Sequence, residues 1–521
     1  MSKKYLLAID AGTGSGRAVI FDELGNQISM SQVEWTHANE VGVEGSMNFD
    51  CETNWKLLCG CIKGAISKAY INSNDILALS SSSMREGIVL YDTGGREIWA
   101  VANVDSRAGA EVVWLKQNYP NLEAEVYAKS GQTFALSALP RLLWVKNNRP
   151  KIYEKISKIS MISDWILYKL CGELVSEPSN AGTAGIFNLK SRAWDGDIAS
   201  RVGLKNDIFP PCKESGEIIG EVGIAAAEQT GLSIGTKVVL GGGDVQIGCA
   251  GLGLIKEGDS AVLGGSFWQQ IVNVKSSLPP SDMSIRLNPH TANGLYQAEA
   301  ISFFTGLVMR WFRDAFCDSE KIAAKARNID TYSLLEEMAQ SVPVGSYGVV
   351  PIFSDTMKYG KWYHAAPSFI NLSIDATKCN KAVLFRALEE NAAIVSAINL
   401  DNIERFSGVK ANSIIFAAGA SKGFLWPEIL ASATKKEVKI PIVKEATSLG
   451  CAIYAGVAVG LYSDIDEACK SVVRMERVVE PNIPNSTIYD EMKNKWSEIY
   501  KRELSLVDDG LTTSMWKAPG I

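Results

Sequence analysis

Two carboxylates and a set of glycine turns carry the reactive potential of this sequence. Asp10 follows the apolar run Tyr5–Ile9 and opens the turn Ala11-Gly-Thr-Gly-Ser-Gly-Arg17. Gly12, Thr13, Gly14, Ser15 and Gly16 offer backbone N–H groups and two hydroxyls without bulk, and Arg17 adds a cation. Oriented N–H groups of this kind can cradle a phosphate. Glycine after a buried strand also serves tight packing alone, and the turn by itself leaves both readings open. Asp244 is sharper. It ends a second apolar strand inside Gly241-Gly-Gly-Asp-Val-Gln246. A carboxylate there is expensive to bury without a task. Helix capping is its ordinary use, and a capping geometry would also fix it in a cleft. Arg85 and Glu86 follow the serine-rich strand end Ser81–Ser83. Ligands bind at such ends in α/β sheets, while an exposed ion pair there would contribute little.

Further glycine turns recur downstream. Ser260-Ala-Val-Leu-Gly-Gly-Ser266 precedes a strand over 268–274, and Ser413–Phe416 runs into Ala417-Ala-Gly-Ala-Ser-Lys-Gly423 and a helix. The chain contains neither GxxxxGK[ST] nor GxGxxG, so a P-loop and a dinucleotide fold have no support. Gly419-Ala-Ser-Lys-Gly423 has the form of a hydrolase nucleophile elbow. In that fold the histidine follows the serine, yet the last histidine here, His364, precedes Ser421.

The elements that must position these groups read as an α/β pattern. A strand, the first turn and two more strands open the chain, with a hairpin loop at Asp22–Asn26. Apolar residues at Trp55, Leu58, Cys59, Ile62, Ala65, Ile66 and Ala69 predict a helix over 51–70. A strand over 76–79 and a hairpin turning at Asp92–Gly95 follow. Repetition of strand and glycine turn in two halves predicts two related domains around a cleft, divided as 1–250 and 251–521. The role of the tail Met515-Trp-Lys-Ala-Pro-Gly-Ile521 is not legible. The whole chain's 52 Lys and Arg against 58 Asp and Glu give 52 − 58 = −6, with no basic run. Neither nucleic acid nor a membrane surface is expected as partner. Ten scattered cysteines and an N-terminus without a secretory pattern point to the cytoplasm. Three histidines without HExxH direct any metal to carboxylates and phosphate oxygens, which suits Mg²⁺.

Taken together, these motifs resemble the FGGY carbohydrate kinases over nearly the whole chain. Asp10–Arg17 looks like the family's first phosphate loop. Gly241–Gln246 resembles the segment carrying its catalytic Asp. Gly264-Gly-Ser266 is similar to the second phosphate loop, with Ser266 where many members have Thr. Phe304-Thr-Gly306 and Ala418–Gly423 resemble nucleotide-contacting segments, and Pro178–Gly185 with Trp194-Asp195 a landmark of the first domain. Several stretches, among them Ser83–Tyr91, Gly265–Gln270 and Tyr363–Ser373, are similar to a subgroup acting on the open-chain form of 4,5-dihydroxypentane-2,3-dione, a quorum-sensing signal phosphorylated on its 5-hydroxyl.

The resemblance implies two actin-like (ribonuclease H-like) domains with a nucleotide cleft between them, and ATP and Mg²⁺ as cofactors. Gly12, Thr13, Gly14, Ser15, Arg17, Gly265, Ser266, Gly306, Gly419 and Gly423 would bind nucleotide. Asp244 would be the base, with Asp10 and Asp244 near the metal. Arg85, Glu86, Asp244, Gln246, Trp268 and Gln270 would meet a small polyol-like substrate. Strand packing into the core is the competing reading for the segment Trp268–Gln270. Ala418 and Ala420 replace glycines of the adenosine motif and leave the adenine contacts undefined. A kinase of another polyol or ketose would share every motif, and an actin-like ATPase would share the phosphate turns. Analogy with glycerol kinases of the family would admit a regulatory sugar-phosphotransferase protein as partner.

Overall fold

The computed structural model describes residues 3–354 and 363–520. The ends of the two expected domains, Met1, Ser2 and Ile521, lie outside them. The opening segment folds as the expected meander: β1 (Tyr5–Ala11), β2 (Ser15–Asp22) and β3 (Gln27–Glu34). Helix α1 (Cys51–Ala69) starts at Asp50, whose carboxylate accepts the Thr53 amide, and stops at left-handed Tyr70. Its apolar face, Trp55, Leu58 and Ile62, packs under β1 and β2. β4 (Ile76–Ser83) pairs parallel with β1, so a crossover through α1 joins them. The predicted hairpin at Asp92–Gly95 joins strands Ile88–Tyr91 and Glu97–Val101. β5 (Ile218–Glu221) and β6 (Lys237–Gly243) complete a sheet of order β5-β6-β4-β1-β2-β3.

The second half repeats this plan. β7 (Ser260–Gly264), β8 (Trp268–Val274), β9 (Arg286–Pro289), β10 (Tyr296–Ser302), β11 (Ser413–Ala417), β12 (Glu437–Pro441) and β13 (Met475–Val479) form a sheet of order β9-β10-β8-β7-β11-β12-β13. In both sheets an antiparallel meander is followed by two parallel strands and one antiparallel edge strand. The repeat anticipated from the glycine turns is therefore a repeat of topology, with β9 as an extra edge strand in the second sheet.

Two helices, α2 (Asp244–Gly251) and, after the longer α3 (Lys381–Ser407) and α4 (Leu425–Thr434), α5 (Ala446–Ala458), lie between the sheets. Ile247 and Ala250 of α2 pack with Leu6, Ala8, Val19 and Ala78 of the first sheet. Val245 and Cys249 pack with Ala261, Ile271 and Ile415 of the second. α5 belongs to the second half of the sequence but buries Leu449, Ala452 and Ile453 against the first sheet. The helices meet backbone to backbone. A Cβ on Gly450 would overlap the Ile247 carbonyl, and one on Gly251 would overlap the Ala446 carbonyl. Among the described residues no helix is long and apolar enough to cross a membrane.

This seam gives a stability prediction. Gly450→Ala should cost about 3 kcal/mol or more, because rigid backbone atoms must move to admit one methyl. Gly60→Ala, in α1 with open space around its Cβ position, should instead stabilise by about 0.5–1 kcal/mol. Urea unfolding of both variants against the parent chain checks the pair.

Candidate active site

The first turn is held so that its amides face outward. Trp35 Nε1 donates to the Gly12 and Thr13 carbonyls at 3.1 and 3.2 Å, His37 Nε2 lies 2.6 Å from the Thr13 carbonyl, and the Trp35 amide donates to the Gly14 carbonyl at 3.1 Å. Each trans peptide points its N–H opposite its C=O. With these carbonyls tied back, the N–H groups of the same peptides, those of Thr13, Gly14 and Ser15, point the other way, which suits phosphate oxygens. Asn103 fixes the Thr13 hydroxyl at 3.0 Å.

Asp10 sits at the end of β1, opposite Arg17 across the β1–β2 ladder. Its Oδ2 lies 3.6 Å from Arg17 Nε, and its Oδ1 is buried with no partner. Arg17 also pairs with Glu445, just ahead of α5. Burial outweighs the Arg17 charge and pushes the Asp10 carboxyl up to about 6.

Asp244 occupies the first turn of α2, where its Oδ1 accepts the Val245 amide at 2.8 Å. The landmark segment positions it. Glu177 accepts from the Ser179 amide, the Ser179 hydroxyl and the Asn180 amide, and the Ser179 hydroxyl in turn accepts the Gly243 amide at 3.0 Å. The Asp244 side chain remains 38% exposed and lies 3.8 Å from Arg85 Nε. Burial raises its carboxyl to about 7 against the pull of Arg85, with Asp10 and Glu86 adding repulsion.

Arg85 and Glu86 are neighbours in sequence but hold different partners. Arg85 is buried and grips Glu299 of β10 through two bonds of 2.5 and 2.9 Å. Glu86, at φ 62°, pairs with Arg286 of β9. The circuit continues through Gln132: Arg286 Nε donates to Gln132 at 2.8 Å, Gln132 to Asn288 at 2.9 Å, and Asn288 to Glu299 at 3.2 Å. Gln246 is fully buried beside Gly243 with both side-chain polar atoms unpartnered. Trp268 and Gln270 do not join this group. Trp268 packs on Phe416 and Trp426, and Gln270 bonds Ser302, Ser396 and Asn399 inside the second half. Both side chains are wholly buried in that core, so the packing reading of this strand replaces the substrate reading.

Gly265, Ser266, Gly306, Gly419 and Gly423 line one cavity of 460 Å³ in the second half. The Gly306 amide donates to the Ser266 carbonyl at 3.1 Å, and a Cβ on Gly306 would overlap the Gly265 carbonyl. Only glycine permits that approach. Ser421 donates to the Ala418 carbonyl at 2.9 Å, which gives it a turn-closing role. Ala418 carries φ 73° and ψ −161°, a region that strains any residue but glycine.

These residues fit a magnesium nucleotide. Asp10 and Asp244 would supply hard oxygen ligands, the buried Asp10 Oδ1 among them, and phosphate oxygens would complete a cation's shell. Among the described residues no group of three or more His, Cys, Asp or Glu could hold a metal by itself. Sequence reading missed Glu299, Arg286 and Glu445. Only Glu299 left a signal, as a lone charge in the buried strand Tyr296–Ser302.

Because the Asp10 carboxyl is raised, its protonated form favours the folded state. Its stabilising contribution is present below about pH 4 and is lost as pH rises through about 6. Without nucleotide or metal, Asp10→Asn should melt a few degrees above the parent chain at pH 8. The gap should close toward pH 4, and parallel melting curves check it.

Comparison with known proteins agrees with this geometry. The FGGY family of carbohydrate kinases matches through its N-terminal domain at residues 5–251 and its C-terminal domain at 265–459. A protein of Yersinia enterocolitica named autoinducer-2 kinase is 57% identical over 521 residues, covering 100% of this chain and 98% of that one. The protein of the same name from Salmonella typhimurium is 56% identical over the same span, with the same coverage. Among solved structures, xylulose kinase from Rhodospirillum rubrum superposes with a TM-score of 0.85 at 20% identity, covering 96% of this chain and 99% of that one. Gluconate kinase from Lactobacillus acidophilus gives 0.84 at 20% identity, covering 96% and 98%. The twin sheets and both domain matches make this chain a member of the FGGY family of carbohydrate kinases.

Proposed function

We propose that this chain transfers the γ-phosphoryl group of ATP to autoinducer-2, at the terminal 5-hydroxyl of its open-chain form, 4,5-dihydroxypentane-2,3-dione. The observation that carries the reading is the 57% identity, end to end, with a relative named autoinducer-2 kinase, because the cleft chemistry alone is common to kinases of many polyols. ATP supply places the reaction in the cytoplasm.

Phosphoryl transfer asks the protein for positioning and charge stabilisation. Asp244 is the proposed base: its carboxylate takes the proton of the attacking hydroxyl at Oδ1 or Oδ2. The amides of Thr13, Gly14 and Ser15 and the Gly265–Ser266 turn hold phosphate oxygens from two sides. Arg17, anchored by Glu445, balances negative charge. Mg²⁺, held by Asp10 and Asp244, would neutralise charge on those oxygens. Beyond its bonds to Glu299, Arg85 keeps Nε–H and one N–H of the neighbouring terminal nitrogen on a common edge, enough to donate to adjacent carbonyls. Glu86 accepts hydroxyl hydrogens, and the unpaired amide of Gln246 can serve either group.

Asp244→Asn should retain nucleotide binding and lose kcat by roughly 10²–10⁴-fold. In the parent enzyme Asp244 must be ionised to accept the proton. With its carboxyl at about 7, kcat/KM should fall about tenfold per pH unit below that point. A flat profile from pH 8 to pH 5.5 would remove Asp244 from the role.

The substrate is decided by kcat/KM for the dihydroxydione, xylulose and glycerol. Glycerol has no carbonyl and leaves Arg85 under-paired in a closed site. Rejection of such an analogue reaches about 10⁴-fold in well-fitted sites. Comparable values for all three would leave a general polyol kinase.

A further inference from the structure

The segment after the long helix Ile483–Asp508 starts in the second half and ends on the first. Tyr489, Trp496 and Tyr500 bury that helix in the second-half core. The chain then turns back. The Ser514 hydroxyl accepts the His364 amide at 3.1 Å and donates to the Trp516 carbonyl at 2.6 Å, and Lys517 forms an antiparallel bridge with Tyr363. Beyond this anchor Ala518 is 3% exposed, packed with Tyr127 and Ala135 of the first half and Ile301 of the second. Gly520, at φ 78°, reaches the first-half helix Gly109–Asn118, where a Cβ on it would overlap Val112. Residues 514–520 are thus held at one end by the second half and at the other by the first.

This strap runs beside the substrate circuit. Ile301 lies two residues beyond Glu299 on β10, so both side chains point to one face of the strand, and Glu299 is the residue that grips Arg85. Between the two ends, Trp516 lies flat on Phe303, with ring centroids 4.8 Å apart and planes 16° apart. Phe303 meets Phe267 edge to face at 5.5 Å, and Phe267 directly follows Ser266 of the second phosphate turn. Phe304 touches the same ring at 5.5 Å and leads into the helix whose Gly306 amide donates to the Ser266 carbonyl. Phe267 is itself 39% exposed. A turn at the surface takes its shape from what packs behind it, and here a row of rings ends on Trp516.

We propose that residues 514–520 strap the two halves together beside the substrate circuit, and that Trp516, acting through Phe303 and Phe267, positions the Gly265–Ser266 turn for the terminal phosphates of the nucleotide. Trp516 is a positioning residue, and the phosphate contacts belong to the turn. The phosphate role rests on the kinase reading, whereas the strap stands on packing alone.

Hydrogen exchange and calorimetric titration of the full chain test the two roles. In Trp516→Ala, amides over 265–267 should exchange about tenfold faster, and a non-hydrolysable ATP analogue with Mg²⁺ should bind up to about tenfold more weakly, the scale of one aromatic stack. AMP, which lacks the β- and γ-phosphates, should change by less than about twofold. Loss of folded protein would instead lower the titration stoichiometry and leave both affinities as they were. Trp516→Phe keeps a ring on Phe303 and should recover most of the exchange protection and the affinity. Gly520→Val unseats the first-half end and should speed exchange over 109–118. Unchanged exchange over 265–267 in Trp516→Ala, equal weakening of the analogue and AMP, or a Phe variant as impaired as the Ala variant would overturn the positioning role. Unchanged exchange over 109–118 in Gly520→Val would overturn the strap. A parent chain that binds neither nucleotide would overturn the kinase reading and the phosphate role with it, and the exchange results would still decide the strap.

Discussion

The site depends on one buried ion pair, Arg85 with Glu299. Arg85 stands just past the end of β4 of the first sheet, and Glu299 lies within β10 of the second sheet. Both side chains are out of water, which is costly unless every donor and acceptor is used. Here the two bonds are parallel and Asn288 takes a further Glu299 lone pair. The pair joins the halves where the substrate must sit. It also divides the Arg85 charge. Glu299 takes the guanidinium end-on through both terminal nitrogens, and Asp244 receives only a 3.8 Å approach to Nε. A full share of that cation would hold Asp244 firmly ionised and make it a feeble base. Burial, opposed by only this smaller share, raises the Asp244 carboxyl to about 7, a value suited to the base proposed for it.

The same circuit explains why Glu86 takes a left-handed backbone. Arg85 and Glu86 must serve two different strands of the opposite half, and an extended dipeptide would send them to opposite faces of one sheet. The turn at Glu86 brings both into the cleft, with its carbonyl held by Arg141 and its amide by Thr183. Strain of this kind persists only where surroundings over-determine it.

Much of the site was legible because its signals are local. The turn after β1, the glycines before Asp244 and the spacing of α1 lie within a few residues and each dictates its own geometry. What escaped was long-range. Glu299, Arg286 and Glu445 lie 214, 200 and 428 residues from the groups they engage, and nothing near them in sequence announces a partner. Trp268 and Gln270 were misplaced for a different reason. A polar and an aromatic residue after a phosphate turn look like ligand groups, but β8 is buried on both faces, and Asn399 with Ser302 and Ser396 satisfies the glutamine. Polar residues in a core are indistinguishable from ligand contacts until their partners are located.

The glycine seam between α2 and α5 bears on how the molecule works as a machine. Backbone approaches backbone there at Gly450 and Gly251, flanked by the packed side chains of Ile247, Ala250, Leu449 and Ile453. A point close to a fulcrum travels little when the arms swing. Any rotation of the halves about this seam would move the distant Ser266 turn far more than Asp244, which begins a helix of the seam itself.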